Sequence, residues 1–158
     1  MPTSITSVAL AATLALLPVV AGATITANGV CEGVPSGVKL HVIVDGTRSN
    51  KGVMTATLYG GNADKYLKHG GELKVWRVDA QSPSTPMCAW LPGPGTYSVA
   101  IYHDAKRAYR FVLGTFGPTQ DYGFSRDPHL FFGPPSFNQT KFTVTGADTT
   151  IHIRLKYP

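Results

Sequence analysis

The chain has 158 residues, of which 43% are hydrophobic and 15% charged, with 17 Gly, 12 Pro and a formal net charge of +5 at pH 7. This composition excludes a disordered chain, and the length fits one globular domain rather than a multi-domain machine. The basic excess does not point to nucleic acid, because the lysines and arginines are spread over strands and turns and no recognition motif accompanies them.

In chain order, the first feature is the uncharged run Val8–Val20 followed by Ala21-Gly22-Ala23, a small-x-small cleavage pattern. Together they read as a secretory signal peptide over residues 1–23, with Thr24 as the mature N-terminus, a single domain over 24–158 and a periplasmic or secreted location. A membrane span needs about 20 apolar residues, so no span is expected after signal cleavage. Cys31 does not directly follow the cleavage pattern, which argues against lipid attachment there. Cys31 and Cys88 are the two cysteines of the chain, and an oxidising compartment predicts one disulfide between them.

Beyond residue 23 the hydrophobic period is two. Leu40, Val42 and Val44 alternate with His41, Ile43 and Asp45, and after the polar cluster Arg48–Gly52 the alternation resumes over Val53–Tyr59. These two segments are expected to form a hairpin. Further strands are expected at Glu72–Asp79, Met87–Leu91, Thr96–His103, Lys141–Thr145 and Thr150–Tyr157, with room for one helical turn at Ala63–Lys68. Seven short strands separated by turns predict an all-β fold, a single antiparallel β-sandwich.

The stretch 104–139 has the least strand character and the most aromatic residues: Tyr109, Phe111, Phe116, Tyr122, Phe124, Phe131, Phe132 and Phe137. A loop of this length is either packed by its own side chains as a satellite core or lines a groove for a ligand. The second reading singles out Tyr102, His103, Asp104, Tyr122, Phe124 and Phe137 as ligand-binding candidates. Lys106, Arg107 and Arg110 form a compact basic tip, whose partner in an exported protein would be an anionic envelope polymer, a lipid headgroup or another envelope protein.

Catalytic patterns are sparse. Glu32 and Glu72 are the only glutamates, and there is no zinc-binding His-Glu-x-x-His, no phosphate-cradling loop and no Gly-x-Ser-x-Gly elbow, so no cofactor is expected. Ser36-Gly37-Val38-Lys39 matches Ser-x-x-Lys but leads into a strand, where that chemistry needs a helix start. His103-Asp104, with Asp121, Asp127 and His129 from the same loop, carries the alternative expectation of a hydrolase or metal-dependent enzyme. The structural counterpart has Asp104 capping a loop through backbone N–H groups while His103 ends a strand. The leading expectation is an exported, non-enzymatic binding or structural module that uses residues 104–139 and the tip 106–110 for contact.

The segments Leu91-Pro92-Gly93-Pro94-Gly95-Thr96-Tyr97, then Phe116-Gly117-Pro118, Tyr122-Gly123-Phe124-Ser125 and Gly133-Pro134-Pro135-Ser136-Phe137 resemble, in this order, the bacterial family known as domain of unknown function 2141. The resemblance implies an exported β-sandwich of immunoglobulin-like or transthyretin-like type and no established activity. Members of that family often follow the His-Asp pair with an acidic loop resembling a calcium site. Here Ala105-Lys106-Arg107-Ala108-Tyr109-Arg110 stands in its place, and three cationic side chains beside Asp104 argue against calcium.

Overall fold

The computed structural model describes residues 30–131 and 133–158. The expected signal peptide and Phe132 lie outside them. Period-two alternation yields β1 (Lys39–Asp45), β2 (Val53–Tyr59), β3 (Glu72–Asp79), β4 (Ser84–Trp90), β5 (Gly95–Asp104), β9 (Phe142–Val144) and β10 (Thr149–Arg154), and a further strand, β8 (Tyr122–Phe124), forms in the long loop where none was expected. Two-residue strands β6 (Leu113–Gly114) and β7 (Gly117–Pro118) pair with each other inside the long loop. A 3-10 turn covers Ala63–Lys65, and one helical turn, α1, covers Phe137–Thr140.

The strands form two layers of a β-sandwich, ordered β10-β1-β4 and β3-β2-β5-β8, with β9 on the first residues of β5. Alternate residues of a strand face opposite sides, so Leu40, Val42 and Val44 from β1, with Met87, Ala89 and Ile153, meet Met54, Ala56, Leu58, Trp76, Val99 and Ile101 from the other layer. Leu40, Met54, Leu58, Met87 and Ile153 are fully buried there.

Two pairings differ from expectation. β1 and β2 are not a hairpin: β1 pairs with β4 and β10, while β2 pairs with β3 and β5. The connection between them is drawn onto the start of β4 instead. Gly46 N and Thr47 N donate to Pro83 O at 3.1 and 3.0 Å, and the buried Thr47 hydroxyl lies 2.9 Å from that of Thr85. β1 is thus carried into one layer and β2 into the other. The sandwich is also not wholly antiparallel, because β1 and β10 run parallel, with Leu40 opposite Thr149 and Asp45 opposite Arg154. Helix α1 was not expected either. Its signature is Ser136-x-x-Gln139, in which Ser136 N donates to Gln139 Oε1 at 2.8 Å.

The expected disulfide joins Cys31 to Cys88, with 4.6 Å between their Cα atoms. Beside it Glu32 N donates to Cys88 O at 3.0 Å and Trp90 N to Glu32 O at 2.9 Å, so the entering chain covers part of the β4 edge. No helix among the described residues is long and apolar enough to cross a membrane.

Candidate functional site

His103 and Asp104 are neighbours in β5, so their side chains leave the strand on opposite faces. His103 stands opposite Met54 on the core-facing side, and Asp104 stands opposite Val53 on the outer side. The His103 ring is buried, with Nε2 2.8 Å from Lys51 O. A carbonyl only accepts, so Nε2 carries a proton. The carboxylate near His103 belongs to Asp121, whose Oδ2 lies 3.8 Å from Nδ1. Arg48 grips Asp121 from outside, with Nε donating to Oδ2 at 3.1 Å and Nη2 to Oδ1. Its guanidinium rests 4.1 Å above the Tyr157 ring. This network ties the β1–β2 connection to the long loop.

The structure therefore separates the two members of the expected acid–base pair. Asp127 is exposed and accepts from Arg154 N at 2.9 Å, and His129 is exposed. Among the described residues no three His, Cys, Asp or Glu side chains are grouped to hold a metal.

Asp104 organises the chain that follows it. Its buried carboxylate accepts from Tyr109 N at 2.5 Å, and its carbonyl accepts from Arg107 N at 3.2 Å. Arg107 and Tyr109 both take positive φ, at 53° and 57°, which bends residues 105–110 back over the outer face of the second layer. Arg107 Nη2 donates to Asp79 Oδ1 at 2.7 Å. Hydrogen bonding to Asp79 and to Tyr109 holds the guanidinium pKa above its ordinary value.

Beneath this loop the register places Arg77, Thr55, Tyr102 and Tyr122 in one row across β3, β2, β5 and β8. The Arg77 guanidinium lies 5.5 Å from the Tyr109 ring centre. Phe111 packs against Tyr102 at 5.5 Å and Tyr122 at 6.5 Å, and Tyr122 meets Phe124 at 6.0 Å. Phe124 is buried, whereas Phe111 and Tyr109 keep 43% and 56% of their surface exposed.

Of the candidate residues, Tyr102, Tyr122 and Phe124 are brought together, and Lys106, Arg107 and Arg110 lie in the loop beside them. His103 faces the other way. Phe137 belongs to a separate cluster, its ring 5.6 Å from that of Tyr66, which in turn lies 5.3 Å from that of Tyr59. There the Tyr66 hydroxyl sits near those of Ser98 and Thr140 without reaching hydrogen-bond geometry, and burial pushes its pKa up. Phe116 and Phe131 are exposed. The long segment is thus in part a packed satellite and in part an exposed aromatic surface.

Sequence reasoning missed Arg77 and Arg48, and it grouped Asp121 with His103 without telling that Asp121, rather than Asp104, faces the ring. Arg77 had a readable signal, since in Glu72–Asp79 it alternates with Trp76 and Val78 and must face outward.

Calcium is expected to leave the stability of this protein unchanged. One Asp104 oxygen is already held by Tyr109 N, and Lys106 and Arg107 follow in the loop. Binding to the folded state alone would add RT ln(1 + [L]/Kd), so even weak binding would raise Tm in millimolar calcium. A rise of several degrees that Asp104→Ala abolishes would contradict this.

No curated protein and no solved structure matches the chain. A family model described as an uncharacterized protein conserved in bacteria, DUF2141, matches residues 42–152. That span runs from Val42 in β1 to His152 in β10 and takes in both layers, the Asp104 loop and the aromatic row. On this match across most of its folded length, the chain belongs to the bacterial family DUF2141.

Proposed function

We propose that this protein is an exported, non-enzymatic binding module whose outer β3-β2-β5-β8 face, with loop 105–111, holds an acidic glycan of the cell envelope. The observation that carries the reading is the mixture on one face of exposed rings, Tyr109 and Phe111, with cations that have no carboxylate partner. Among the described residues Arg77, Lys106 and Arg110 make no ion pair, in contrast to Arg107 with Asp79 and Arg48 with Asp121. Aromatic faces pack against the C–H faces of sugar rings, and guanidinium groups pair with carboxylates in a fixed planar geometry. The apolar run before Ala21-Gly22-Ala23 and the Cys31–Cys88 bridge support export. Hydrolysis centred on His103 and Asp104 draws no support from this geometry, because the two side chains leave opposite faces of β5.

Binding of the purified protein to polygalacturonate, with neutral dextran as control, tests the reading. Polygalacturonate should bind and dextran should not, and the affinity should fall as salt screens the exposed charges. Reversing Lys106 and Arg110 to Glu should weaken it about tenfold or more, since hydrogen bonds to charged groups contribute roughly 1.5–3 kcal/mol. Equal binding to the two polymers, insensitivity to the reversal, or binding only to anionic lipid vesicles would overturn it.

A further inference from the structure

A second surface, far from the aromatic row in the topology, has different chemistry. Where the β3 edge of one layer approaches the end of β4 in the other, the sandwich opens into a cleft of about 290 Å³ lined by Leu58, Leu73, Leu91, Trp90, Val34 and Lys74, among others. Leu58 and Leu91 are core residues that form its floor, while Leu73 and Val34 stand at 51% and 83% exposure. The volume lies near the lower end, roughly 300 Å³, of pockets that take small molecules.

Lys74 decides what such a molecule would be. The register sets Lys74 opposite Leu58, on the core-facing side of β3, where the half-buried stem carries the ammonium to the mouth of the cleft. Its ammonium has three donors. One is directed at Glu32 O at 3.4 Å, and no carboxylate lies within ion-pair distance among the described residues. The cleft thus joins apolar walls to a cation with donors to spare. We infer that it binds an aliphatic carboxylate, with the head group on Lys74 and a short hydrocarbon chain between Val34, Leu73 and Trp90.

An inward-facing lysine on an edge strand also discourages pairing with other chains, and the test separates the two roles. Octanoate, octanol and octylammonium are titrated into the purified protein by calorimetry, with Trp90 emission followed in parallel. Octanoate should bind saturably and octanol about tenfold more weakly or less. Lys74→Glu keeps a charge on the edge strand, so the protein should stay folded and in the same oligomeric state, lose octanoate binding and gain octylammonium binding. No saturable octanoate binding, equal binding of octanol, or octanoate binding that survives Lys74→Glu would overturn the inference.

Discussion

Replacing both Cys31 and Cys88 with alanine is expected to remove about 4 kcal/mol of unfolding free energy, as the chain-entropy model gives for a sequence separation of 57 residues. The loop so closed contains β1, β2 and β3, strands from both layers, so without the bridge the unfolded chain gains freedom over much of its length. Since domains of this size are stable by only about 5–15 kcal/mol, the loss would be a large fraction of the whole. Some native order would go with it, because Glu32 holds the β4 edge next to the bridge through Cys88 O and Trp90 N. Denaturant unfolding of the oxidised protein and the double alanine variant measures the effect. Midpoints that coincide, with unchanged slope, would show that the bridge does not constrain the unfolded chain.

The second large effect is expected at Gly52, where alanine should cost about 2–6 kcal/mol, combining backbone strain and overpacking of about 1–3 kcal/mol each. Gly52 has φ +75°, and an added Cβ would lie 2.0 Å from Asp104 O and 2.5 and 2.7 Å from the Ala105 Cα and C atoms. These are main-chain atoms at the end of β5 and cannot rotate aside as the tip of a side chain could. Relief requires the start of β2 to part from the end of β5, at the Val53–Asp104 pair from which loop 105–111 departs. Polygalacturonate binding should therefore weaken together with stability. Gly37→Ala is the control, since Gly37 has φ +83° with nothing within 4 Å of the added Cβ, and it should show the backbone strain alone. Equal losses for the two variants would mean that the contact with Asp104 and Ala105 is easily relaxed.

Seven of the strands, and the buried face of β1 and β3, were legible from local order, whereas β6, β7 and β8 form inside the stretch 104–139, where no strand was expected. The alternation of Leu40, Val42 and Val44 in β1, and of Trp76 and Val78 in β3, requires no partner to be read. The all-β sandwich followed from it, and the disulfide from a count of two cysteines in a chain expected to be exported. The neighbour of each strand was not legible, because main-chain hydrogen bonds carry no sequence identity. β1 and β2 look like a hairpin along the chain and separate into two layers only when Pro83 and Thr85 hold the connection to β4.

The same reason divides the candidate site. Tyr102, Tyr122, Phe124 and the cations of the Asp104 loop could be named from the sequence, but the use of each side chain depended on contacts between distant segments. His103 turned inward to Asp121 and Lys51 O, while Asp104 turned outward to cap its own loop. Arg77 came under Tyr109 through a loop fold that two positive φ angles allow. The cleft at Lys74 is further still from local order, since its walls come from the entering chain, β2, β3 and the end of β4. Periodicity records burial along one strand, whereas a site is made where several strands and loops end together, and only tertiary packing determines where that is.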